Sequence, residues 1–216
     1  MPPDAPSPSA PAPSRRRHYP VTQRALDIAL AAVGLLLLWP ALLAIAVLIK
    51  LTSRGPVLFR QDRAGLGGKP FTLLKFRSMR EDADLRRREL AHLSEMDGPI
   101  FKMRQDPRIT GLGRFLRRSS LDELPQLLNV LRGDMSLVGP RPLPLDEARR
   151  LPPRYQRRHT VRPGLTGLWQ VSGRNELPHH RMMELDLQYV AHRSLALDLS
   201  ILLRTLPALL TARGAF

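Results

Sequence analysis

At 216 residues the chain is long enough for one domain with a substantial core plus a tail or an anchor. It carries 34 Lys and Arg against 19 Asp and Glu, a formal charge of +15 that favours polyanionic partners: nucleic acid, anionic lipid headgroups or phosphorylated substrates. The absence of cysteine excludes disulfides, thiolate metal sites and cysteine nucleophiles, and 5% aromatics are thin for a protein that stacks single-stranded bases on rings.

Residues 1–13 hold six prolines among Ala, Ser and Asp. Such a stretch buries too little apolar surface to fold, so 1–18 is expected to be a disordered leader that ends in the basic patch Arg15-Arg16-Arg17. Residues 28–49 follow without a charge, and as a straight helix they extend about 33 Å, enough to cross a bilayer. Pro40, near the middle, removes the backbone bond to the Leu36 carbonyl and predicts a kink after Trp39. Basic residues flank both ends: Arg15–Arg17 and Arg24 before, Lys50, Arg54, Arg60 and Arg63 after. A straight span puts one cluster outside, against the positive-inside tendency. A helix that dips in, turns at Trp39-Pro40 and returns keeps both at the cytoplasmic leaflet, although backbone groups freed at the turn then need partners. An ordinary Pro-kinked span is the alternative. A cleaved signal peptide fits less well, because the apolar run continues through Ile49.

Residues 56–60 and 71–76 are predicted as short strands joined by the turn Gly65-Leu66-Gly67-Gly68. Residues 79–95 are charge-laced and read as a solvated helix, with Arg86-Arg87-Arg88 on its water-facing side. In the final apolar-rich stretch, 195–210, Asp198 and Arg204 argue against a span, which leaves a helix lying on the membrane or a plain core helix. His179-His180 do not converge as metal ligands on a helix, and Trp169-Gln170 serve either nucleotide contact or core filling.

Residues 117–142 carry the densest chemistry. Leu124, Leu127, Leu128 and Leu131 follow helical spacing, and Gly133 suits the stop. Ser120-Leu121-Asp122-Glu123 fits a capping box with Ser120 as N-cap; alternatively the regular helix begins at Pro125. Either reading puts Asp122 and Glu123 at the positive end of a helix dipole. An Asp-Glu pair there is most simply a helix start. Arg117 and Arg118 upstream, and Arg141 held extended between Pro140 and Pro142, make it also a candidate phosphate site.

The run SSLDELPQLLNVLRGDMSLVGPRPLP resembles the signature of the bacterial sugar transferase family, the monotopic phosphoglycosyl transferases. Further blocks agree: Lys75-Phe76-Arg77-Ser78-Met79, Gly98-Pro99-Ile100-Phe101-Lys102, Asp106-Pro107-Arg108-Ile109-Thr110, RPGLTGLWQVSGRN at 162–175, and Glu184-Leu185-Asp186 before Tyr189-Val190. Together they cover about residues 19–211, and several long blocks in order are far more specific than one short motif.

The resemblance implies transfer of a sugar-1-phosphate from a UDP-sugar to undecaprenyl phosphate, releasing UMP and starting exopolysaccharide, O-antigen or related glycan assembly. It assigns Asp122 as covalent nucleophile and Glu123 to a Mg²⁺ site. Lys75, Arg77, Arg117, Arg141, Arg174 and Asp186 are the expected substrate- or phosphate-binding positions. A carboxylate attacks only when ionised, and the arginines and the helix start are expected to favour that form. The resemblance also implies a re-entrant helix broken at its central proline, although Trp39 stands where relatives often carry a small polar residue. Gly173-Arg174-Asn175 resembles versions acting on N-acetylated sugars, whereas the Gly98-to-Lys102 block resembles hexose-type starters.

The expected architecture is α+β and mostly helical: a disordered leader at 1–18, a re-entrant membrane helix region at 19–52, and a cytosolic, membrane-associated catalytic domain at 53–216 with membrane-surface helices and a small β-hairpin. The expected location is the bacterial inner membrane with the catalytic domain on its cytoplasmic face, with anionic headgroups and a second copy as candidate partners and no nucleic acid. The rival reading is a basic membrane-tethered adaptor without catalysis, which leaves the blocks around Asp122 unexplained.

Overall fold

The computed structural model describes residues 21–90, 92, 103 and 105–211. The leader at 1–18 and the Gly98-to-Lys102 block lie outside the described residues.

The first element, α1 (Val21–Thr52), is one uninterrupted helix with Pro40 inside it. The expected turn at Trp39-Pro40 is therefore not a break in the helix. Losing a single N–H does not end α1, because its packing face continues on both sides of the proline. Gln23, Asp27, Ala31, Ile45 and Ile49 are buried, and Leu38 and Leu42 between them are half-buried. These positions recur every three or four residues and form one stripe along the whole helix. The opposite side is apolar and exposed, with Leu30, Val33, Leu37, Trp39, Leu43 and Leu48 on it. Among the described residues α1 is the one helix long and apolar enough to cross a membrane.

The predicted hairpin forms from β1 (Leu58–Ala64) and β2 (Pro70–Phe76), antiparallel with Phe59 opposite Lys75. β1 runs four residues past the expected end. The Gly-rich turn closes it, with Gly67 and Gly68 at positive φ and Gly65 N–H donating to the Lys69 carbonyl at 2.8 Å. The helix expected over 79–95 is shortened at its start: α2 spans Ala83–Glu89. Met79 instead bridges Ile109, and Arg80 N–H bonds the Arg108 carbonyl. Arg86 is exposed on α2 and pairs with Asp82 one turn back.

Next come α3 (Gly111–Arg118), a 3₁₀ turn at Leu121–Glu123, and α4 (Gln126–Arg132), which stops at Gly133 with φ 92°. β3 (Ser136–Val138) pairs in parallel with β4 (Gly164–Thr166); between them lie α5 (Leu145–Arg149) and a 3₁₀ segment at Pro153–Thr160. Two three-residue strands show no periodicity, and this small sheet is invisible in the sequence. The chain ends in α6 (His179–His192) and α7 (Leu195–Leu210), and Pro207 does not interrupt the latter.

The main core joins Ala31 of α1 to Leu73, Val130, Met135, Val138, Met183, Tyr189 and Ile201. A smaller one sets Ile45 and Ile49 against Phe76 and Leu116. α7 packs as a core helix through Ile201, while Leu195, Leu199, Leu203 and Leu206 are exposed. Trp169 belongs to the main core.

One buried amide locks the hairpin to α4. Asn129 Oδ1 accepts from Leu74 N–H at 3.0 Å, and its Nδ2 donates to the Thr72 carbonyl at 2.8 Å and to Asp134 at 3.1 Å. Replacing Asn129 by Leu leaves the buried Leu74 N–H without its partner. The expected loss is about 1–3 kcal/mol, seen as a lower Tm in detergent.

Candidate active site

Three segments converge on one carboxylate. β2 brings Lys75, the turn at Leu121–Glu123 brings Asp122 and Glu123, and the loop after β3 brings Arg141. Glu123 Oε1 accepts from Lys75 Nζ at 2.7 Å and from an Arg141 Nη at 2.5 Å, while the other Arg141 Nη donates to Oε2 at 3.1 Å. The Arg141 fork thus grips the carboxylate with both ends.

The local backbone differs from both expected helix starts. Ser120 is left-handed (φ 57°, ψ 17°) and its side chain caps nothing, so no capping box forms. Regular helix begins at Gln126, one residue after the Pro125 start. α4 has seven residues and starts beyond the Asp-Glu pair, so its dipole adds little there.

The two neighbouring carboxylates are pushed in opposite directions. Burial works to raise Glu123, but Arg141 and Lys75 overcome it and hold the group well below the usual carboxylate range. Asp122 is 5% exposed, and burial together with the Glu123 charge pushes it up, against the pull of Lys75, Arg117 and Arg141. The expectation that the arginines favour ionised Asp122 is thus offset by desolvation. Among the described residues no hydrogen bond reaches its carboxylate. Burial also lowers Lys75 below its ordinary value despite Glu123.

The loop that aims Arg141 is held at successive carbonyls. Gly164 N–H donates to Pro140 at 2.9 Å, Arg158 to Arg141 at 2.6 Å, Arg63 to Pro142 at 3.0 Å, and Ala64 N–H to Leu143 at 3.0 Å. Gly139 and Gly164 approach so closely that a Cβ on either would collide with the other's backbone. The Arg141 guanidinium, expected to face phosphate, is aimed at Glu123.

The remaining expected positions divide. Arg117 lies near Asp122, steadied by Ser78 Oγ at 3.1 Å. Arg174, left-handed at φ 50° after Gly173, feels the charges of Glu123 and Arg141. Arg77 and Asp186 are placed differently. Arg77 donates to the Ser53 carbonyl and hydroxyl at the end of α1. Asp186 is 1% exposed and held by Arg158 at 2.6 Å, and Arg158 in turn donates to the Arg141 carbonyl. Arg158 and Asn129 escape sequence reasoning: a lone Arg in a basic stretch and a lone Asn in a helix announce no burial.

Among the described residues no group of three or more His, Cys, Asp and Glu could hold a metal, His179 and His180 included. Both Glu123 oxygens already accept from Lys75 or Arg141, so a Mg²⁺ held by this carboxylate would have to share it with those cations.

The model of a family described as bacterial sugar transferase matches residues 18–212. Exopolysaccharide production protein ExoY of Rhizobium meliloti is 42% identical over 200 residues, covering 91% of this chain and 88% of that protein. The UDP-glucose:undecaprenyl-phosphate glucose-1-phosphate transferase of Caulobacter vibrioides is 48% identical over 205 residues, 90% of this chain and 72% of its own. Galactosyl transferase CpsE of Streptococcus agalactiae is 43% identical over 196 residues; the match takes in 90% of this chain but only 43% of that protein.

A buried acid raised above its unfolded value penalises the fold at high pH, and the penalty disappears as the pH falls through the folded pKa towards the unfolded one. Asp122→Asn is therefore expected to melt a few degrees above wild type at pH 8, with a lead that closes in acid. Thermal scans from pH 8 to pH 4 check this; a variant less stable than wild type at pH 8 contradicts it.

Proposed function

This chain belongs to the bacterial sugar transferase family, and we propose that it moves a sugar-1-phosphate from a UDP-sugar to undecaprenyl phosphate through a phosphosugar on Asp122. The observation that carries the reading is the buried Asp122 beside a carboxylate already neutralised by Lys75 and Arg141. Glu123 absorbs those cations' attraction, and Asp122 stays poorly solvated, a favourable state for a nucleophile once ionised.

An Asp122 oxygen attacks the phosphorus that bears the sugar, the bridging P–O bond breaks, and UMP leaves. A phosphate oxygen of the lipid then attacks the same phosphorus, the bond to Asp122 breaks, and the free carboxylate returns. Lys75, Arg117, Arg141 and Arg174 supply N–H donors for the phosphoryl oxygens. A Mg²⁺ held at Glu123 would add positive charge on the diphosphate and favour ionised Asp122. The sugar–oxygen bond is never cut, so the anomeric configuration is retained.

The membrane-facing reading rests on α1. Its outer side is apolar and exposed, and its inner stripe meets the catalytic domain from Gln23 to Ile49. Arg24 ties its start to α4, and Ser53 just beyond its end receives Arg77. Both ends joined to one folded body support placement on the cytoplasmic face of the inner membrane without crossing it.

With Mg²⁺, a UDP-sugar and undecaprenyl phosphate, the protein in detergent is expected to release UMP, and Asp122→Asn to lower the rate at least about 10³-fold. Without acceptor, intact-mass spectrometry is expected to show one added phosphosugar on wild type and none on the variant; wild-type turnover by the variant rules out the nucleophile. Cysteines placed at positions 14 and 53 are expected to be labelled only from the cytoplasmic side, and periplasmic labelling of either establishes a span.

A further inference from the structure

Three polar residues near the start of α1, Gln23, Arg24 and Asp27, turn inward. Gln23 Nε2 donates to Asp198 of α7. Arg24 places its two Nη groups on carbonyls in the last turn of α4, Val130 at 2.6 Å and Leu131 at 2.9 Å, where a cation meets the negative end of the helix. Asp27 is 5% exposed, and its Oδ1 accepts from Ser136 Oγ at 3.1 Å and from Leu137 N–H at 2.9 Å, both on β3.

The two elements so gripped are the two limbs of the active-site scaffold. Glu123 lies three residues before α4 begins, and Arg141 three residues after β3 ends. A short turn at 133–135 joins the limbs, and the Glu123–Arg141 pair closes the far side. Arg24 and Asp27, one helical turn apart, hold one limb each. A carboxylate on a membrane helix costs insertion energy, so anchoring alone does not account for it. Hydrogen bonding to β3 does: without Asp27, Leu137 N–H and Ser136 Oγ lose a buried partner.

We propose that Arg24 and Asp27 are positioning residues that set the Glu123–Arg141 geometry from within the membrane helix. They touch no substrate and act through α4 and β3. The kinetic part of this inference rests on the phosphosugar-transfer reading; the structural part does not.

The test uses the full chain in detergent, with Asp27→Ala, Asp27→Asn and Arg141→Lys. Amide exchange over 134–142 is expected to quicken in Asp27→Ala and to stay near wild type in Asp27→Asn, whose Oδ1 still accepts. In UMP release, Asp27→Ala is expected to lower kcat at least tenfold with donor KM within twofold, and Asp27→Asn to restore most of it. Combined with Arg141→Lys, the alanine variant is expected to add less than a further twofold, because both changes act on one interaction. Unchanged exchange, a wild-type kcat in Asp27→Ala, or losses that multiply with Arg141→Lys would each overturn the proposal. If Asp27→Ala does not accumulate, Ser136→Ala removes one of the two bonds: faster exchange and lower kcat support the proposal, and wild-type values overturn it. A wild type that releases no UMP counts against the transfer reading, while exchange still decides whether Asp27 holds β3.

Discussion

Glu123 is shared between Lys75 and Arg141, and that shared carboxylate joins the hairpin, the Asp-Glu turn and the loop after β3. A half-buried ion cluster of this kind returns little net stability, because desolvating three charged groups consumes much of the Coulomb gain. It does fix geometry. Asn129 on one side and the carbonyl bonds along 140–143 on the other hold the partners rigid enough for the fork to close. The stability that supports this arrangement comes from elsewhere, chiefly the core between α1, α4, β3, α6 and α7.

The same pairing gives two adjacent acids different characters. Glu123 keeps its charge because two cations neutralise it, while Asp122, buried and without a described hydrogen bond, finds its charged form disfavoured. Neighbours in sequence are thus separated by environment into a charge-holding acid and a poorly solvated one, the division of labour that the proposed transfer needs. The basic surplus of the chain is partly internal: Arg108 and Arg158 spend their guanidinium groups on buried carboxylates, and Arg141 on the half-buried Glu123.

α1 is at once a core element and an exposed apolar one, long and apolar enough to cross a membrane. Ala31 lies in the main core and Ile49 in the smaller one, while the opposite side of the helix remains apolar and uncovered. On the proposed membrane reading, anchor and site scaffold are one packing problem, with polar contacts at the start of the helix and aliphatic ones along the rest.

Sequence alone determined what depends on local pattern. The hairpin followed from its Gly-rich turn, α4 and its Gly133 stop from leucine spacing, and the apolar segment from an uncharged run. The ordered blocks around Asp122 identified the family and its candidate residues. Only the tertiary structure decided where charges end up. It sent Arg77 to Ser53, put Asp186 beneath Arg158, carried α1 through Pro40, and tied Asp27 to β3. Residue type states that a side chain can carry charge or donate a proton; which partner it meets, and how much water it loses, depends on segments far apart in the chain.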